Sequence, residues 1–262
     1  MRQASGPLDE AAADGRQVAL ARRWRHLRAG LPSALYLLAW AVGMAVVGVV
    51  IGLALAKVGG NQAIGRADAG ADRWMAAHRS PGWSTLTHLT TDAAETVTIT
   101  ALAVLTFAGT ALAWRRWREP MLVAAAITGE VVIFLLITLL VDRPRPPVSH
   151  LDAAPPTSSF PSGHVAAAIA LYGSWVVLAR ERARSALLRG VLLALAVVVP
   201  VAVGLARVYR GMHYPSDVLA GALLGATWLA VSVRGVRLGV VHHRLRAAGA
   251  LPRARRTLLR HG

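Results

Sequence analysis

Apolar residues run from position 35 to position 56 without a single charge. A run of that length carries a helix across the ~30 Å hydrocarbon core of a bilayer. Five more such runs follow, at 96–114, 121–141, 165–178, 191–206 and 218–233. The third contains one acid, Glu130. The fourth is short and needs the polar residues before it to reach the interface. The pattern predicts an all-α fold: a polytopic membrane helical bundle of six transmembrane helices, with no fixed-period repeat. Between the first two runs, 61–92 is placed outside the bilayer. Within it, 67–78 sets Ala71, Trp74 and Met75 among Asp68, Asp72 and Arg73 and predicts a short interfacial helix. Arg79-Ser80-Pro81-Gly82 ends that helix, and Trp83 suits the headgroup layer. The domain organisation expected is a basic N-terminal segment at 1–32, a membrane domain at 33–234 and a basic tail at 235–262.

Composition changes this picture little. Of the 262 residues, 55% are hydrophobic and only 16% charged, against about 25% charged in an average soluble domain. Charge adds more. The net charge is +16, carried by 29 Lys+Arg of which only Lys57 is lysine. Six alternating spans put both termini on one side. That side collects 21 of the basic residues, and the other side collects eight. The asymmetry predicts cytoplasmic termini in a cell membrane. It also accounts for the net charge without nucleic acid, because the arginines flank spans and form no interleaved patch. The basic tail is suited to anionic lipid. Arg22-Arg23 reads as a flank of the first span, not an export signal. With no cysteine, disulfides, thiolate metal sites and cysteine nucleophiles are excluded.

The chemistry lies in two loops on the side away from the termini. Four of the eight basic residues there fall in them, and each loop ends in a histidine. The first contains Asp142-Arg143-Pro144-Arg145-Pro146-Pro147 and ends Phe160-Pro161-Ser162-Gly163-His164. The second reads Arg207-Val208-Tyr209-Arg210-Gly211-Met212-His213-Tyr214-Pro215-Ser216-Asp217. Arginines present planar forks of donors that fit phosphate oxygens. Pro161-Ser162-Gly163 opens a helix, whose free N–H groups and dipole favour an anion. Ser162 adds a hydroxyl, and Gly163 permits close approach. Two histidines can supply a nucleophile and a proton donor. Asp217 can accept the ring N–H of His213 and fix its tautomer. Pro215 is tolerated only near a helix start. His213 is therefore expected just before the sixth helix and Asp217 in its first turn, with Tyr214 or Ser216 as the cap. His150 and Asp152 are expected to be solvated loop residues, and Glu130 a polar contact within the bundle.

These motifs resemble those of the type 2 phosphatidic acid phosphatase (PAP2) superfamily of integral membrane lipid phosphatases. Pro161-Ser162-Gly163-His164 matches one signature completely. Arg207, His213 and Asp217 match a second with its spacing, and Arg145-Pro146 matches the end of a third. The resemblance covers roughly 65–234. It implies that His213 is the nucleophile, forming a phosphohistidine, that Asp217 orients it, and that His164 protonates the leaving group. It further implies that Arg145, Arg207, Ser162 and the Gly163 backbone hold the phosphoryl group, with no metal and no cofactor. Thr138 stands where the family has lysine, and Ala206 where it has serine. Arg143 or Arg210, close in sequence, are candidates to replace the missing cation. The expected substrate is a lipid phosphate or pyrophosphate: polyprenyl pyrophosphate, phosphatidic acid or phosphatidylglycerol phosphate. The expected site faces away from the cytoplasm. The alternatives are a catalytically weak lipid-phosphate binding or transport protein, suggested by Thr138 and Ala206, and a vanadate-dependent haloperoxidase-like enzyme, opposed by the six apolar spans. Oligomeric state is not legible.

Overall fold

A computed structural model describes residues 33–57 and 62–247, which are helical apart from short connections and the long 141–162 loop. The N-terminal segment 1–32 and the tail beyond 247 lie outside the described residues. The helices are α1 (Ser33–Lys57), then α2 (Ala63–Ala77), α3 (Pro81–Asp92), α4 (Thr96–Trp114), α5 (Arg118–Leu140), α6 (Gly163–Arg182), α7 (Ala186–Tyr209) and α8 (Pro215–Ala247). The chain divides into two compact units, Met1–Leu37 with Gly235–Gly262 and Leu38–Arg234. Six helical stretches are long and apolar enough to cross a membrane, as the hydropathy pattern predicts.

Two boundaries differ from expectation. The second crossing stretch runs from Pro81 to Trp114, not from 96. Its first part, α3, reads as polar because of its threonines. In the helix those hydroxyls are spent on the carbonyl one turn back. Thr85 donates to Pro81, Thr87 to Trp83, Thr90 to Leu86 and Thr91 to Thr87, at 2.7–3.1 Å. The outer face left over is Trp83, Leu86 and Leu89, all exposed. Pro81-Gly82 ends one helix and also starts the next, with Ser80 as N-cap. The fourth stretch extends to Gly163–Arg182, long enough to span without help.

α6 is the central helix, packed on α4, α5 and α7. Its alanines allow this: Ala166, Ala168 and Ala170 are fully buried. α8 approaches even closer. A Cβ on Gly221 would lie 2.3 Å from the Ser162 carbonyl oxygen, and one on Gly225 would lie 2.6 Å from that of Ala166. Neither backbone oxygen can give way. Gly221→Ala is therefore expected to cost about 1–3 kcal/mol of stability by overpacking. Gly109→Ala, whose Cβ would meet nothing within 4 Å, is expected to be neutral or stabilising. Thermal unfolding in detergent checks both.

α2 is built inside out. Its only buried side chains are two acids, Asp68 and Asp72, while Ile64 and Trp74 face outward. The acids turn toward the loops that carry the two histidines.

Candidate active site

His213 sits on the turn between α7 and α8. Arg210 closes α7, and Gly211 takes φ +76°, a left-handed conformation that favours glycine. A side chain there would also strike the Ser149 carbonyl, 2.9 Å from the ideal Cβ. The turn thus delivers His213 into the interior, 5% exposed. Its Nδ1–H donates to the Ser159 carbonyl at 2.6 Å. That bond fixes the tautomer and leaves the Nε2 lone pair free. Burial, followed by the charges of Arg207 and Arg145, holds the imidazole well below the usual histidine range. At neutral pH His213 is an uncharged base with an available nitrogen.

Asp217 does not make the hydrogen bond assigned to it from sequence. Its Oδ2 lies 3.9 Å from His213 Nδ1, while the Ser159 carbonyl holds the proton. Asp217 Oδ2 instead accepts the Tyr214 N–H at 3.0 Å. Tyr214 is the residue before α8, so this is the return half of a capping box, and Tyr214 rather than Ser216 occupies the cap position. Asp217 Oδ1 binds Arg143 Nη1 in a short ion pair. The carboxylate is fully buried. At 3.9 Å from the ring it takes no part in fixing the tautomer of His213.

Arg143 is likewise not a phosphate ligand in this geometry. Its guanidinium also donates to Asp68 Oδ2 at 2.9 Å and to Ser216 Oγ at 2.8 Å, and it stacks 4.3 Å over the Tyr214 ring. Asp68 further accepts the Ser216 N–H at 3.0 Å. Asp68, Arg143 and Asp217 form one buried chain of charges that ties α2 to the first turn of α8. Asp72 lies next to it with neither carboxylate oxygen hydrogen-bonded. Burial, then the Asp68 and Asp217 charges, push its pKa up to about 7.

Arg210, the other candidate replacement cation, is also consumed. It donates to both oxygens of Asp152, to the Ser84 and Leu151 carbonyls and to Thr87 Oγ1. It is a strut between α3 and the 149–152 loop. Neither arginine substitutes for the lysine replaced by Thr138, whose own hydroxyl is buried without a partner.

Arg145, Arg207 and Ser162 behave differently. Arg145 spends Nη1 on the Met212 carbonyl at 2.7 Å, and Arg207 spends Nη1 on Asp152 at 2.9 Å. In each the Nε–H is buried and unpaired, and so is the Ser162 hydroxyl. Ser162 is the N-cap residue of α6, yet its side chain makes no cap bond. Its N–H donates to the Asp217 carbonyl at 3.0 Å, which joins the two histidine motifs through the backbone. The first-turn N–H groups of α6 lack intrahelical acceptors. Orphaned buried donors cost about 1–3 kcal/mol each, and three on one set of residues suit a tetrahedral oxyanion. Arg145, Arg207 and His164 are all close enough for their charges to act on His213. Gly163 has a packing reason not foreseen: a Cβ there would lie 2.9 Å from the Phe134 ring.

Asp152, read from sequence as solvated, bridges Arg207 and Arg210. Burial pushes its carboxyl up, but the Arg210 hydrogen bonds and the two guanidinium charges outweigh this and hold it below the usual range. It aims Arg207. Asp152→Asn is expected to weaken binding of inorganic phosphate about tenfold, the scale of one charge-assisted hydrogen bond; calorimetry in detergent reads this. Glu130 stays inside α5, buried, and its Oε2 has no hydrogen-bond partner. An apolar cavity of about 830 Å³ lies beside the site, between α1 and α8, and is bordered by Phe160, Pro161 and Ser216.

Six apolar helices carry a buried neutral histidine beside unpaired arginine donors, and together they define a polytopic membrane protein with a buried histidine centre. Residues 119–238, which hold both histidine motifs, match the PAP2 superfamily. A stretch of 116 residues is 37% identical to decaprenylphosphoryl-5-phosphoribose phosphatase of Mycobacterium tuberculosis, from two strains. It covers 43% of this chain and only 59% of those relatives' length. The fold is similar to that of a transmembrane PAP2-type phosphatidylglycerolphosphate phosphatase from Bacillus subtilis. The TM-score is 0.60 at 21% identity, over 82% of this chain and 98% of that one.

Proposed function

We propose that the protein is a lipid phosphatase that cleaves a phosphomonoester through a phosphohistidine on His213. The observation that carries this reading is the trio of buried unpaired donors, Arg145 Nε, Arg207 Nε and Ser162 Oγ, grouped with a neutral His213. The donors would bind the non-bridging oxygens and stabilise the charge that develops on them. His213 Nε2 attacks phosphorus as the P–O bond to the lipid alcohol breaks. His164 gives its proton to the departing oxygen. Water then attacks the phosphohistidine, His164 takes a proton from that water, and phosphate leaves with His213 regenerated. Asp217, 3.9 Å away, offsets the positive charge on His213 while it carries the phosphoryl group.

Both named relatives act on a phosphate borne by a lipid headgroup, which favours a lipid phosphomonoester over a pyrophosphate. The 830 Å³ apolar cavity at the Phe160-Pro161 edge would receive part of the hydrocarbon chain. The 21-to-8 division of basic residues supports an extracytoplasmic site. Because the chain has no cysteine, Thr157→Cys can be labelled alone in cells. Modification only after the membrane is breached would reverse that orientation.

The test of the activity is phosphate release by the purified protein, in detergent with a chelator, from phosphatidic acid, phosphatidylglycerol phosphate and a polyprenyl phosphosugar. Release that persists with chelator, together with an acid-labile phosphoenzyme, is expected. Tight phosphate binding without turnover on any of the three would favour the binding-protein alternative and overturn this one.

A further inference from the structure

The span from Pro81 to Trp114 is broken at 93–95, and the break has a built structure. Tyr172 of α6 donates its hydroxyl to the Ala93 carbonyl at 2.9 Å. Ala94 is buried in the same apolar cluster as Ile99, Val165, Ala168, Tyr172 and Val203. The break is thus held against α6 and α7, and Glu95 takes an extended conformation at the start of α4. Its carboxylate makes no cap bond to α4. It reaches instead to the first turn of α6, where Oε1 lies 3.3 Å from His164 Nε2. The Glu95 side chain is 48% exposed and that of His164 23%. The exposed Glu95 and the partly buried His164 thus stand beside the buried His213.

We propose that Glu95 is the positioning residue of the proton donor, holding the Nε2–H of His164 so that Nδ1–H points to the leaving oxygen. This rests on the role given to His164 above. The donor needs a partner because the Arg207 cation from α7 opposes its charge and His213 from the α7–α8 turn is neutral; among the described residues, Asp152 from the loop offers a second carboxylate. When the P–O bond breaks, the Nδ1 proton passes to the lipid alkoxide and His164 becomes neutral, with Nε2–H still on Glu95. Water attack on the phosphohistidine returns a proton to Nδ1, so the cycle closes without a further reactant.

The role predicts a dependence on the leaving group. An alkoxide needs a proton as it departs, whereas p-nitrophenolate does not. Glu95→Gln keeps the shape and removes the charge, and no helix cap is lost with it. For a short-chain phosphatidic acid, kcat is expected to fall about 10–100-fold, at or below the low end of a general-acid contribution because the donor itself remains, with KM unchanged. For p-nitrophenyl phosphate the fall is expected to stay under about threefold. The basic limb of the kcat profile moves to lower pH, because a carboxylate beside the imidazolium favours its charged form. Glu95→Asp, which restores the charge, moves it back. An equal fall on both substrates, or no fall on the lipid, overturns the proposal. His164→Ala separates the two levels of the argument. If it shows the leaving-group dependence and Glu95→Gln does not, only the role of Glu95 fails. If His164→Ala shows none, the donor assignment fails and the Glu95 proposal with it.

Discussion

Replacement of His213 by asparagine is expected to reduce phosphate release by a factor on the order of 10⁴ or more in kcat, and to abolish the trapped phosphoenzyme. The size follows from the role. Asparagine, whose amide nitrogen overlays the ring Nδ1, can still donate to the Ser159 carbonyl, now 2.6 Å away, so the loop keeps its anchor. What it lacks is a nitrogen lone pair, and no other side chain among the described residues combines its burial, fixed tautomer and neighbouring donors. Binding should survive, because Arg145, Arg207 and Ser162 are untouched. Inorganic phosphate affinity measured on the same variant therefore separates loss of the nucleophile from loss of the site. The wild-type pH profile carries the same signature. Burial and two guanidinium charges keep His213 deprotonated well below the ordinary histidine range. The acid limb of kcat/KM, where the nucleophile gains a proton, should then lie below that range. A limb at or above the ordinary histidine value, or a phosphoenzyme that persists in the asparagine variant, would place the nucleophile elsewhere.

The helices and the histidines were legible because their signals are local. Twenty apolar residues are a span whatever surrounds them, and Pro161-Ser162-Gly163-His164 is a helix start in any context. Partnerships were not local. Arg143 meets Asp68 across 75 positions of sequence, Arg207 meets Asp152 across 55, and His164 meets Glu95 across 69. Four arginines in two loops look alike on paper. In the fold, Arg143 and Arg210 are committed to carboxylates and carbonyls, while Arg145 and Arg207 each keep a buried donor free. Only the count of satisfied donors separates a strut from a ligand. α3 was missed for a similar reason: threonine reads as polar until its hydroxyl is seen bonded within its own helix.

Arg143 is where this distinction has its largest consequence for stability. Arg143→Ala is expected to destabilise the protein by about 3–5 kcal/mol, since it strips the counter-charge from two buried carboxylates. Asp68 and Asp217 are 5% and 0% exposed on their side chains. Asp72, already raised to about 7 beside them, leaves the pocket no tolerance for more negative charge. Arg143→Lys should recover little, because an ammonium cannot span Asp68, Ser216 and Asp217 together or stack on Tyr214. Arg145→Ala provides the contrast. Its guanidinium makes one carbonyl bond and keeps a donor free, so its loss should spare the unfolding temperature and weaken phosphate binding. Thermal unfolding and phosphate affinity, measured on both variants, give opposite orders. If Arg143→Ala left stability intact and lowered only affinity, Arg143 would be the substitute for the lysine replaced by Thr138. If both measures fall with Arg143, the loss of affinity follows from the loss of Asp217, which the Asp68→Asn variant would show in milder form by weakening the same chain from its far end.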